Sequence, residues 1–243
     1  MSYLSRDDAP FSQALWNEID GAVVTAAKDA LVGRRFLSLY GPLGIGARGT
    51  VIDGLGKQEV FDDGIAIMQD RSTVQFPIVY EDFWLYGRDI AASEQENLPV
   101  DLSAVSYAAQ TLARREDAMV FYGVEALGVP GLLNAKGVAS VKKSSWDSGE
   151  GAFKDVAAAV DALLQNGRYG RHTLVVSLDM YVQMQRIQPG TGVLEYDRIK
   201  NLLGGRVYSS SVLKPRTAAL LCAPPQSIDL AEGPDIATAY TEA

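Results

Sequence analysis

Residues 99–134, PVDLSAVSYAAQTLARREDAMVFYGVEALGVPGLLN, decide how the rest of the chain is read. The spacing predicts one long helix running into a Gly-rich turn. Counting from Val105, residues Ala109, Leu112, Glu116 and Val120 fall on one face, with Ala108 and Met119 beside them. Glu116 is the odd member of that seam, because a carboxylate among core positions is costly to bury without a partner. It is either half of an ion pair holding the helix to its neighbour or a catalytic carboxylate. The ion pair is the expected role.

Upstream, a first helix is well punctuated. Ser12 is placed to cap it, with Phe11 and Trp16 as a hydrophobic staple across the first turn. Leu15, Ile19, Val23, Ala26, Ala27, Ala30 and Leu31 recur at helical spacing, and Gly33 supplies the stop. From Thr50 to Arg88 the pattern changes to strand-like runs broken by Asp-Gly and Gly-Lys turns. Val74, Phe76, Ile78 and Tyr80 alternate with Gln75, Pro77 and Val79, and Pro77 limits that run to a sheet edge. So long a hairpin cannot easily bury both faces against its own body, and an apolar edge invites pairing with another chain.

Downstream of Gly151 the pattern is α/β. A helix bearing Phe153, Val156, Ala157, Val160, Leu163 and Leu164 ends at Gly167, and a strand over Thr173–Leu178 follows. A short helix near Asp179, the turn Gln188–Gly192, a helix from Leu194 to Gly204-Gly205, and strands Arg206–Ser209 and Thr217–Ala223 complete a compact unit. Lys142–Gly151 is the most linker-like stretch apart from Trp146.

Composition narrows the chemistry. A net charge of −8 over 243 residues argues against capture of nucleic acid, and Lys142-Lys143 is the only Lys pair. No apolar run approaches a membrane span, and the start MSYLSRDDAP lacks the apolar core of a signal peptide, so a cytoplasmic location is expected. The single cysteine, Cys222, excludes an internal disulfide, and its strand-like setting predicts a buried inert thiol. The single histidine, His172, leaves too few ligands for a His/Cys zinc site. Tyr169 precedes His172 by three positions, so the helical Glu-x-x-His iron motif is absent, and a serine triad would depend on His172 alone. Gly44-Ile-Gly46 and Gly54-Leu-Gly56 lack the setting of a dinucleotide fingerprint. No catalytic, metal or cofactor residue is assigned.

The motifs in this chain resemble those of the encapsulins of the linocin-like, family 1 type. They are Leu4, Arg6, Ala9-Pro10, Trp16, Ile19-Asp20, Gly33-Arg34-Arg35-Phe36, Gly41-Pro42-Leu43-Gly44, Val100-Asp101-Leu102-Ser103, Glu116-Asp117, Phe121, Gly123, Gly128, Gly131-Leu132-Leu133, Gly204-Gly205 and Asp235-Ile236 through Tyr240. They run in family order over nearly the whole chain. The resemblance implies an α+β subunit with the tailed-phage major capsid fold. Residues 1–49 would hold the N-terminal helix and the start of a peripheral domain, and 50–83 an extended loop laid across neighbours. Residues 84–131 would hold the peripheral domain with its spine helix, 132–221 an apical domain, and 222–243 the return to the peripheral domain. The family fold closes with a further strand region after Asp235–Tyr240, so a longer natural chain, or another filling of that edge, is expected.

The resemblance further implies a structural protein that self-assembles into an icosahedral nanocompartment. Its partners would be other copies of itself and a cargo protein bearing a C-terminal targeting peptide. Leu31, Arg34 and Ile236 match the cargo-binding positions, while Ala27 and Lys28 stand where many relatives have a bulky aromatic and its neighbour. Gln188, Pro189, Gly190 and Thr191 would lie near a pore at the five-fold vertex. LVGRRFLSLYGPLG and the following hairpin resemble the iron-storage subset, which implies a ferritin-like cargo carrying its own oxidising site. A peroxidase cargo, a tailed-phage-type capsid protein packaging DNA, and a hydrolase using His172 are the alternatives. The start Arg6-x-x-Ala9-Pro10 speaks against the phage protein.

Overall fold

Residues 3–53, 58–60, 64, 66–68, 71–147, 150–222 and 228–241 are described by the computed structural model. The first half contains α1 (Gln13–Ala30), β1 (Ser38–Tyr40), β2 (Gly49–Asp53), β3 (Gln58–Val60), β4 (Ala66–Met68), β5 (Arg71–Gln75), α2 (Gly87–Glu96), α3 (Ser103–Tyr122), β6 (Gly123–Val124) and β7 (Val129–Pro130). The second half contains α4 (Gly151–Gln165), β8 (His172–Ser177), α5 (Leu178–Met184), α6 (Glu195–Leu202), β9 (Val207–Ser210), β10 (Ala218–Cys222) and β11 (Asp229–Ala231).

α1 begins as its sequence predicts. Ser12 Oγ accepts the Leu15 N–H at 3.2 Å, and the Phe11 and Trp16 rings meet edge-on at 5.5 Å. Its buried stripe of Leu15, Trp16, Ile19, Val23, Ala26 and Ala27 packs against α3, where small residues let the helices approach closely. The buried face of α3 is displaced by one residue from the expected seam. Val105, Ala109, Ala113, Asp117 and Phe121 are buried at i, i+4 spacing, with Ala108 beside them. Leu112, Glu116 and Val120 lie half-buried on the flank.

The end of α3 shows why its turn is Gly-rich. Leu132 and Leu133 fold back to donate to the carbonyls of Val120 and Phe121 at 2.9 and 3.0 Å, satisfying the last turn of the helix. That return brings the backbones so close that a Cβ on Gly131 would lie 2.3 Å from Gly123 N. A Cβ on Gly123, at φ 78°, would lie 2.1 Å from Val129 O.

The predicted hairpin is an arm. β2 pairs antiparallel with β5, and β3 with β4 nested beyond them. The predicted turn residues Gly54, Gly56, Lys57 and Asp63 lie outside the described residues. The strand expected through Tyr80 stops at Gln75, two residues before Pro77, which has no N–H to continue the ladder.

The second half matches its sequence reading to within about two residues per boundary. β8 is central, parallel to β9 and antiparallel to β10. Its residues Thr173–Ser177 are all buried, because both faces of the sheet are covered. Leu174 and Val176 face a core with Trp146, Val156, Met180, Met184 and Ile199, so the linker-like stretch is pinned by its tryptophan. Val175 faces the other way, joining Val32, Phe36, Leu37, Phe121 and Leu213 into the core that unites the two halves. β1 and β11 form a parallel pair that local sequence did not reveal.

Candidate functional site

α1 ends at Ala30 and the chain makes one 3-10 turn at Gly33–Arg35. An acid from α3 brackets that turn. Asp117, 1% exposed, accepts the Val32 N–H at 2.9 Å and the Gly33 N–H at 2.8 Å. Burial pushes its carboxyl above the ordinary aspartate range, against the two N–H donors that favour its charge. The helical periodicity puts Glu116 in the seam and leaves Asp117 out of it. The signals for Asp117 are its place in the Glu116-Asp117 motif and its position four residues after Ala113.

The bracketed turn aims Arg34 at acids from two elements. Glu116 takes it bidentately, with Nε–Oε1 at 2.7 Å and Nη2–Oε2 at 2.8 Å, so the expected ion pair is what forms. Asp235 Oδ1 accepts from Nη1 at 2.8 Å. Glu232 Oε2 lies 3.1 Å from Nη2 without a directed hydrogen bond, so that contact is Coulombic. The Glu116 bond raises the guanidinium pKa further above its already high value, against burial.

Glu232 and Asp235 belong to a strap, residues 232–241, that crosses α1. Arg6, itself bidentate to Asp20 at 2.8 and 2.6 Å, donates through Nε to Thr238 O at 2.8 Å. Tyr240 N donates to Leu4 O at 2.9 Å, and the Tyr240 ring meets Phe11 edge-on. Just before these clamps Ile236 packs against Ala27, Leu31 and Ala113, with Ala30 alongside. The structure therefore brings the predicted Leu31, Arg34 and Ile236 together. Arg34 is committed to the subunit's own acids, while Asp235, one of the exposed charges of this surface, has a side chain 65% exposed.

The turn after α5 holds the predicted residues Gln188 to Thr191. Pro189, Gly190 and Thr191 are exposed, but Gln188 is 4% exposed and faces inward. Its amide donates to Glu150 Oε1 and accepts from Arg198, whose guanidinium lies over the Phe153 ring at 4.1 Å. Nearby, the fully buried Glu195 accepts the Phe153 N–H at 2.8 Å, filling the open first turn of α4 from the start of α6. Gln188 thus ties the turn to the N-cap of α4 and to α6.

Over residues 1–243 the chain matches the family model described as encapsulating protein for peroxidase. The chain belongs to the encapsulin family. It is 34% identical over 252 residues to the type 1 encapsulin shell protein EncA of Myxococcus xanthus, covering 98% of this chain and 86% of that protein. It is 37% identical over 232 residues to a diheme-cytochrome–encapsulin shell fusion protein of Kuenenia stuttgartiensis, covering 93% of this chain and 64% of the longer fusion. A virus-like particle from Pyrococcus furiosus has the same fold, with a TM-score of 0.71 at 17% identity over 92% of this chain and 85% of that one. Family and fold together make this an encapsulin shell protein, a structural subunit rather than an enzyme.

The residues that sequence reasoning weighed for chemistry have structural surroundings. His172 Nε2 lies 3.3 Å from Arg168 O, and Cys222 is buried with Sγ 3.2 Å from Tyr169 O. Among the described residues no group of three or more His, Cys, Asp or Glu could hold a metal ion. No helix among them is long and apolar enough to cross a membrane.

Proposed function

We propose that this encapsulin-family chain closes into an icosahedral nanocompartment in the cytoplasm around a cargo protein that docks by a C-terminal peptide. The observation that carries the reading is the arm. Val51 and Ile52 on β2 are both more than half exposed, so the two-stranded ribbon buries little on its own subunit. A two-stranded ribbon is marginal by itself in water, and adjacent copies supply its packing. Each contact can be weak, because closure links many of them. The test is size-exclusion chromatography and electron microscopy of the purified protein. Closed particles of one diameter are expected, and a folded monomer at working concentration refutes the reading.

Within that shell, Leu31 and Ile236 form the apolar floor of the cargo groove and Asp235 its charged rim, while Pro189, Gly190 and Thr191 stand at the five-fold opening. A ferritin-like cargo for iron storage is favoured by the stretch LVGRRFLSLYGPLG. A ferritin-like–encapsulin shell fusion in Pyrococcus furiosus, 20% identical over 176 residues, is in keeping with it. The description of the family as encapsulating a peroxidase supports a peroxidase cargo as the second reading. Mass spectrometry and iron analysis of particles from the native host separate the two. A ferritin-like protein with iron supports the first, and a haem peroxidase without iron stores the second.

A further inference from the structure

The segment from Pro77 to Tyr86, between the arm and α2, belongs to no helix or sheet. Its side chains alternate. Val79, Glu81, Phe83 and Leu85 are half-buried, whereas Ile78, Tyr80, Trp84 and Tyr86 are 62–92% exposed. Phe83 and Leu85 pack into the core of α1 and α3, which fixes one end. At the other end Phe76 N donates to Arg48 O at 3.0 Å at the arm's root. Between those fixings, among the described residues, one side chain makes every hydrogen bond and ion pair to residues 77–85. Arg115 of α3 donates through Nη1 to Tyr80 O at 2.6 Å and pairs with Glu81 Oε2 at 2.6 Å. An open cleft of about 440 Å³, lined by Ile78–Asp82 and Arg115, lies around the contact, so close packing does not hold the segment in place.

We propose that Arg115 is a strut that sets the angle at which the arm leaves the subunit, and through that angle the curvature at which neighbouring copies meet. This rests on the proposed function, in which the arm lies on adjacent copies. β2, Gly49–Asp53, spans roughly 13 Å at ~3.3 Å per residue, so a tilt of about 25° at the root moves its far end by roughly 6 Å. That exceeds the spacing of ~4.8 Å between paired strands and would misplace the arm on its neighbour. The Arg115–Glu81 pair is itself half exposed on the arginine side, so it adds little to the stability of the subunit. Arg115 is a positioning residue: removing it frees the arm while leaving the fold.

The experiment compares the parent protein with Arg115→Ala, Arg115→Lys and Glu81→Gln, reading subunit unfolding in denaturant and particle diameter by electron microscopy. Arg115→Ala is expected to unfold at the parental midpoint but to lose the single parental diameter, giving mixed sizes and open sheets. Arg115→Lys keeps the charge and a donor and restores the parental diameter in most particles. Glu81→Gln leaves the Tyr80 carbonyl bond and broadens the distribution less. Closure of folded Arg115→Ala into the same single diameter as the parent overturns the proposal. Should Arg115→Ala fail to fold, Glu81→Gln decides, an unchanged diameter overturning the strut and a broadened one supporting it. A parent that forms no particles refutes the shell reading instead. The strut is then judged by amide exchange at residues 78–85, faster in Arg115→Ala if it holds and unchanged if it does not.

Discussion

Arg34 brings one positive charge to three carboxylates, so its surroundings carry excess negative charge and the acids do not contribute equally. Burial holds the Glu232 carboxyl above the ordinary glutamate range in spite of Arg34. A carboxyl whose pKa is raised by folding favours the folded state when protonated, and that advantage is lost as pH rises through the folded value. Glu232→Gln is therefore expected to be at least as stable as the parent at neutral pH. Its advantage fades in acid, where the parental Glu232 is itself protonated. Asp235 behaves in the opposite sense. Burial pushes it up, but hydrogen bonds from Arg34 and the Ile236 N–H outweigh burial and leave it below the ordinary range. Its contribution is present above the unfolded aspartate pKa and is lost as pH falls through the lower folded value. Asp235→Asn should cost up to ~1 kcal/mol at neutral pH, the exposed carboxylate being screened by water, and should converge with the parent in acid. Arg34→Ala strands all three acids and should cost about 3 kcal/mol. Urea unfolding of the three variants across this pH range checks the order. Glu232→Gln falling below Asp235→Asn at neutral pH would contradict it.

Elements are joined by buried polar ties that their own sequences do not announce. Glu195 begins α6 yet serves α4, and Glu195→Ala takes the acceptor from the part-buried Phe153 N–H. That substitution should cost about 1–3 kcal/mol, read as a lower unfolding midpoint with an unchanged denaturant slope. Gln188 ties the exposed turn to Glu150 and Arg198. Gln188→Ala is expected to speed amide exchange at Gly190–Val193 while β8 stays protected, because β8 belongs to the apolar core and not to this tie. Equal acceleration in both places would show that Gln188 supports the whole half and not the turn. The one-residue rotation of the α3 stripe has the same origin. Ala26 and Ala27 of α1 admit the backbone of α3 closely, and that contact selects Ala109, Ala113 and Asp117 over Leu112 and Glu116 for burial.

At the scale of the whole molecule, the subunit carries apolar surface that its own core does not use, on the arm and on the segment behind it. Val51→Asp with Ile52→Asp is expected to leave a folded subunit, since both residues lie outside the buried core, and to abolish large particles on size exclusion. Particles of parental size from the double variant would show that these residues do not meet another copy. High salt should weaken assembly less than these substitutions do, because salt screens exposed charge and leaves apolar burial intact.

Much of this architecture was legible in the chain itself. The cap at Ser12, the helical stripe of α1, the Gly-rich turn after α3 and the alternating elements after Gly151 are local patterns, and local patterns fix the kind and extent of an element. The motifs from Leu4 to Tyr240 carried the resemblance to the family because they follow one another in its order over nearly the whole chain. Only the tertiary structure decided which acid is buried, that Arg34 is occupied from within, that Gln188 faces inward, and that β1 pairs with β11. β1 and β11 are three residues each and lie about 190 positions apart, so neither has a periodicity to read. Burial and pairing are properties of two surfaces meeting, and a single helix or turn carries the pattern of only one of them.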